Sequence, residues 1–298
     1  MALPLMDRFL QYAVAGLSAG SLYALVALGI VLIYKSTKVL NFAHGDVATL
    51  GTFAAFALLS RDHSFWIAFP AALVTGALAS VLFYFGALAP AQRKGATLLG
   101  QVILTIGLAL IVQGLVVYTF GTEPDRMPFP LSDSESRKVG PVYVSELALG
   151  TLGAALAACV AVYVVVQRTR LGLAMRAVSE NLMAAQTLGI PTRRVLGFAW
   201  ATASALGVVA GLFLAPALLL DPFFMLDPFL KGFAASVLGG LGSLPGAVAG
   251  GLLLGVAESL AGAYAGIEFK KTLAFLVILA VLLVRPEGLL GKPFKERV

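Results

Sequence analysis

Few side chains in this sequence could do chemistry, and they gather in three stretches. The first is NFAHGD, with Asn41, His44 and Asp46 at the start of an apolar run. Polar groups at membrane depth are costly and turn toward protein or water. These three are therefore candidates for the polar lining of a solute path. The competing reading is a turn in which Asn41 caps the following helix. A metal is a weak reading for His44 and Asp46, because two ligands are too few and the chain has only 2 histidines. The second stretch is VLGGLGSLPGAVAGGLLLG, which contains Gly240, Gly242 and Ser243. A phosphate cradle would need a Lys followed by Ser or Thr, and neither is present. No Walker A pattern occurs elsewhere, so the chain is not expected to bind ATP. Close backbone packing and a broken or re-entrant helix at the pathway is the better reading, with Pro245 at the break. The third stretch, residues 168–195, carries Arg168, Arg170, Arg176, Arg193 and Arg194 against one acid, Glu180.

Outside these stretches, Ser18, Ser21, Tyr23, Gln101, Thr105 and Gln113 are pathway candidates by polarity alone. Ser and Thr in apolar helices more often bond to their own backbone or to a neighbouring helix. Glu258 follows 26 residues without a charge, at 232–257. It could line the path, pair across an interface, or mark a membrane boundary, and the boundary reading is preferred. No nucleophile lies beside a base, so the chain is not expected to be an enzyme.

The elements that must position these residues are membrane spans. Of the 298 residues, 59% are hydrophobic and 12% charged, against about 25% charged in a soluble domain. Mean hydropathy is +0.94. The fold class is all-α, a polytopic helical bundle. Apolar runs lie at 9–33, 65–89, 98–120, 147–167, 195–220 and 272–284, and another begins at Asn41. The run at 9–33 exceeds a signal-peptide core and is expected to be a retained span. Asp221, Pro222, Asp227, Pro228 and Lys231 read as a loop. Cys159 is the single cysteine, so no intrachain disulfide can form. The net charge of +6 sits in a few loops and reports orientation rather than nucleic-acid binding. Positive charge places Arg93 and Lys94, residues 168–194 and the tail in the cytoplasm, and the 121–146 loop outside. Eight crossings are the direct count. Nine follow if the glycine-rich region crosses twice, and parity is left open. Residues 41–53 and 237–252 are candidate halves of an inverted repeat.

Residues 173–188 read as one helix, rich in Ala, Leu and Met, without internal Gly or Pro. Sixteen residues make a rod of about 24 Å. Leu173, Ala177, Ala184 and Leu188 fall near one side, with Arg176, Glu180 and Thr187 near another. Gly189 is expected just past its end with positive φ, and Pro191 closes it. Such a helix between two spans has no bilayer to cross.

Several of these motifs resemble one family. GLSAGSLYALVALGIVLIYKSTKVLNFAHGD is similar to the N-terminal signature of branched-chain amino acid ABC importer permeases of the LivH type. SENLMAAQTLGIP resembles that family's version of the cytoplasmic loop that docks on ATPase subunits. VLGGLGSLPGAVAGGLLLGVAES resembles its glycine-rich segment, and RPEGLLG its closing motif. The resemblance implies a single permease domain over 1–298 with a coupling loop at 168–194. It implies coupling contacts from Arg176, Glu180, Asn181, Ala184, Ala185, Gly189 and Ile190. The implied partners are a second permease of the LivM type, two ATPase subunits that bind ATP, a periplasmic binding protein and membrane lipid. No cofactor on this chain and no nucleic acid are implied. The implied location is the bacterial inner membrane. The resemblance does not fix the solute, since relatives carry other amino acids, amides or urea. A self-sufficient secondary carrier is the rival, with Asp46 or Glu258 as its ion site.

Overall fold

A computed structural model of the chain describes residues 5–131, 136–140, 142–266, 268–285 and 287–291. Of the expected external loop, residues 132–135 and 141 lie outside the described residues, as does most of the basic tail. The helices are α1 (Leu5–Thr37), α2 (His44–Leu59), α3 (Phe65–Phe83), α4 (Ala89–Arg93), α5 (Leu98–Phe120) and α6 (Glu146–Arg168). They continue with α7 (Arg170–Glu180), α8 (Leu182–Thr187), α9 (Thr192–Leu214), α10 (Leu226–Gly239), α11 (Leu244–Tyr264) and α12 (Phe269–Val284). A π-helical stretch, Tyr84–Leu88, joins α3 to α4 without a break. Among the described residues, six helices are long and apolar enough to cross a membrane. The expected eight or nine crossings require two or three of the shorter helices α2, α10 and α12 to cross as well. One small hairpin departs from the all-α expectation: β1 (Ser136–Val139) pairs antiparallel with β2 (Val142–Ser145). Gly140 turns it at φ 64°, and Gln11 seals it through a two-way bond with the Tyr143 backbone at 2.6 and 2.9 Å.

The chain divides into two compact units. The first comprises residues 1–31, 129–156 and 227–298. Its helices meet through glycines. A Cβ on Gly16 would lie 2.7 Å from the Val256 Cα, and one on Gly20 would lie 2.8 Å from the Gly251 carbonyl. From the other side, added Cβ atoms at Gly251 and Gly255 would strike the Ala24 and Gly20 backbones. Small residues at this spacing allow the backbones of α1 and α11 to touch, the packing that replaces hydrophobic drive inside lipid. The glycine-rich run is indeed broken. Gly240, at φ 100°, ends α10, and Ser243 caps α11, its Oγ accepting from Gly246 N at 3.1 Å. Residues of the closing motif fold onto the break: Leu289 N and Leu290 N donate to the Leu238 and Gly239 carbonyls at 2.8 and 3.1 Å.

The second unit comprises residues 32–128 and 157–226. Here α2, α3 and α9 pack together. Val208 sits in the notch left by Gly51 and Gly76. Trp200 is fully buried and stacks on Tyr84 at 6.1 Å.

Two expectations change. Lys231 does not lie in a loop: α10 starts at Leu226, and Pro228 falls in its first turn, where a missing N–H costs nothing. Residues 173–188 are not one rod but two helices, α7 and α8.

Candidate functional site

The surface loop of the second unit is built from local caps. Thr169 starts α7, its Oγ1 accepting from Gly172 N at 3.1 Å. Asn181 interrupts the expected rod. Its backbone is extended at φ −155° and ψ 105°, and its Oδ1 accepts from Ala184 N at 3.0 Å, so it caps α8. Asn competes well for backbone donors, and this local bond outweighs helix propensity. At the far end Gly189 adopts φ 77°. Gly189 N donates to the Gln186 carbonyl at 3.0 Å and Ile190 N to the Ala185 carbonyl at 3.0 Å, the paired bonds of a Schellman stop.

The faces also differ from the expected ones. Gly172, Met175, Val178 and Ala185 turn inward. Leu173, Met183 and Leu188 turn outward, Met183 being 76% and Leu188 79% exposed. Ala185 is therefore closed to any partner, whereas Glu180, Asn181, Ala184 and Gly189 are exposed. Arg176 is half-buried and donates to Gln167 Oε1 at 3.1 Å. Behind the loop lies an open cleft of about 900 Å³ bordered by Phe85, Gln186, Gly189, Ile190 and Arg193. The Arg193 guanidinium lies 5.1 Å from the Phe85 ring centre, and Phe85 packs on Gly197.

At NFAHGD, Asn41 Oδ1 accepts from Ala43 N at 3.1 Å, a tight turn just before α2 rather than a bond into its first turn. Thr105 braces the same turn, accepting from Phe42 N at 3.2 Å. His44 is fully buried against Gly207, and neither ring nitrogen has a hydrogen-bond partner among the described residues. Asp46 Oδ1 accepts from Gln113 Nε2 at 2.7 Å. Asp46→Asn keeps that acceptor and removes only the charge. If Asp46 lines the path, the variant assembles normally and uptake of radiolabelled solute slows several-fold. Unchanged uptake would leave the residue a structural one. Ser21 Oγ donates to the Ser18 carbonyl at 2.7 Å. Gly242 has open space where a Cβ would go. Among the described residues, no three His, Cys, Asp or Glu side chains come together.

In the first unit the sequence hid its most unusual feature. Glu258 does not face outward from the protein. It is 5% exposed, and its Oε1 accepts from Lys231 Nζ, itself 7% exposed, at 2.7 Å. Lys231 Nζ also reaches Asp227 Oδ2 at 2.8 Å and donates to the Tyr23 hydroxyl at 3.4 Å. Asp227 is half-exposed, so Lys231 bridges a wet carboxylate and a dry one. Two signals in the sequence mark Lys231: it is the sole Lys or Arg between 195 and 269, and it lies four residues after an acid. Removing one partner of a buried pair costs about 3–5 kcal/mol, while replacing both by apolar groups is often neutral.

Long apolar helices, a capped surface loop and a buried ion pair describe a multi-pass membrane protein. The chain belongs to the family described as branched-chain amino acid transport system / permease component, which it matches over residues 12–282. It is 32% identical over 303 residues to the high-affinity branched-chain amino acid transport system permease protein LivH of Escherichia coli K12, covering 97% of this chain and 98% of that one. It is 32% identical over 309 residues to BraD of Pseudomonas aeruginosa, covering 99% and 100%. A LivH protein of Methanocaldococcus jannaschii is 28% identical, with 93% and 90% covered. Among solved structures, a chain of PsaBC from Streptococcus pneumoniae in complex with Fab has the same fold, with a TM-score of 0.52 at 13% identity over 93% of this chain and 92% of that one.

Proposed function

We propose that this chain is one of two membrane subunits of an ATP-driven importer for branched-chain or other hydrophobic amino acids. It resides in the cytoplasmic membrane. The second membrane subunit is a related permease of the LivM type, a binding protein delivers the solute, and two ATPase subunits bind and hydrolyse ATP. The substrate class follows the names of the relatives, which are 32% identical over nearly the whole length. The observation that carries the coupling role is the α7–α8 loop. Its ends are fixed by Thr169, Asn181 and Gly189, its inner face is packed, and its outer face presents Met183 and Leu188 beside an open cleft. An apolar knob on a rigid loop suits docking in a groove of a partner. On this reading, ATP-driven closure of the ATPases moves the loop, and α9, against which α7 packs, carries that motion into the bundle.

The test is purification of the tagged chain from its native membrane. An ATPase subunit and a second permease are expected to accompany it, with ATP hydrolysis stimulated by the loaded binding protein. A chain that purifies alone and transports amino acid in vesicles without ATP would overturn the proposal.

A further inference from the structure

We propose that the Lys231–Glu258 pair is a binding site for the zwitterionic backbone of an α-amino acid, closed upon itself when no solute is present. The inference rests on the importer reading above and names what the path recognises.

Both charged groups of the pair are buried inside the protein, Lys231 at 7% and Glu258 at 5% exposure. Tyr23 lies near the middle of α1, Lys231 in the second turn of α10, and Glu258 on α11 less than two turns from its end. Ionisable groups inside membrane helices are rare and mark solute or ion pathways. A pair serving only stability can often be replaced by apolar side chains without loss. The arrangement is also the complement of one ligand class. Lys231 offers an ammonium to a carboxylate, and Glu258 offers a carboxylate to an ammonium, within 2.7 Å of each other. An amino acid inserted between them turns one ion pair into two and leaves no charge unmatched. A simple carboxylic acid would strand Glu258, and a monoamine would take Glu258 from Lys231 and leave it Asp227 alone, with no new anion in exchange. A neutral amide or urea would break the pair and return no charge to either side. The site therefore selects for both charges together, whatever the side chain.

Two further groups adapt the pair to such an exchange. Asp227 holds Nζ from the exposed side at 2.8 Å, so Lys231 keeps a partner while Glu258 is released. The Tyr23 hydroxyl, 3.4 Å from Nζ, can follow either oxygen donor or acceptor, because it both gives and takes a hydrogen bond.

The experiment uses the purified whole complex without its binding protein, and equilibrium binding of radiolabelled leucine. Leucine is expected to bind. The one-charge analogues 4-methylpentanoate and 3-methylbutylamine should each compete at least tenfold more weakly than unlabelled leucine. The second arm is Lys231→Met combined with Glu258→Met, with the binding protein restored. This variant should reach the membrane in an assembled complex, yet import leucine at least tenfold more slowly. Equal competition by either analogue, no leucine binding to a complex that still imports leucine, or wild-type import by the double variant would each overturn the inference. Should the double variant fail to assemble, the competition on the wild-type complex decides. If the wild-type complex with its binding protein imports an amide or urea and no amino acid, the importer's substrate reading fails first, and this inference with it.

Discussion

Gly189→Val is expected to lower uptake at least tenfold while the protein stays in the membrane at its normal level. Gly189 holds φ 77°, and nothing lies within 4 Å of the position a Cβ would take, so the penalty is one of backbone conformation and not of space. A left-handed backbone costs an ordinary residue about 1–2 kcal/mol, and more when the side chain is β-branched. The two bonds of the helix stop, from Gly189 N and Ile190 N, add about 0.5–1.5 kcal/mol each if they are lost. Relief of that strain reorients Ile190 and Pro191 at the edge of the cleft. Because about 1.4 kcal/mol is a factor of ten, a loop that must hold one conformation to transmit force loses most of its coupling. ATP hydrolysis that no longer responds to the loaded binding protein is the accompanying sign. Gly189→Asn is the control, since Asn tolerates this backbone region; it should keep most of the uptake. Equal loss in both variants, or in neither, would mean that the φ angle at this position is irrelevant to coupling. Glu180→Arg, on the exposed end of α7, is expected to act on the same step by reversing charge at the face proposed to dock.

The buried pair yields the largest expected effect on stability, and one that is not symmetric. Lys231→Met leaves the Glu258 carboxylate buried with no cation beside it. Glu258→Leu leaves Lys231 its second partner, the half-exposed Asp227. Both single changes should cut the yield of folded protein and its melting temperature in detergent, by about 3–5 kcal/mol of lost stability for the worse. Lys231→Met should be the worse of the two. The double replacement should melt near the wild type, because no charge is stranded. A ranking in which the double variant is the least stable would show that the pair holds the helices together by net attraction.

The helical bundle was readable because apolar runs of membrane length leave a strong signal in one dimension; residues 98–120, for example, coincide with α5. The glycine-rich break was readable for a related reason, since Gly240 and Pro245 disfavour a straight helix on local grounds. What escaped depends on choices that a period cannot show. Asn181 reads as a helix residue in the sequence, yet its amide side chain can replace a helix bond as readily as accept one, and only the fold decides. The inward face of the α7–α8 loop does not follow from a continuous rod, because a cap at Asn181 resets the phase of Leu182 to Leu188. Lys231 and Glu258 lie 27 residues apart. Neither announces the other, and an isolated acid at the end of an apolar run most often marks water.

The contact between α1 and α11 carries a mechanical consequence. Where two helices interlock through large side chains, they can part by degrees, as rotamers yield one after another. Here Gly16 and Gly20 face Gly251, Gly255 and Val256 main chain to main chain, and at these points there is no rotamer to yield. Dispersion falls steeply with distance: a gap of about 0.5–1 Å forfeits roughly a quarter to a half of it. Such a seam has no soft intermediate. Over the glycine stretch it is either in register or undone, so a parting of the helices there would go in one step rather than by degrees.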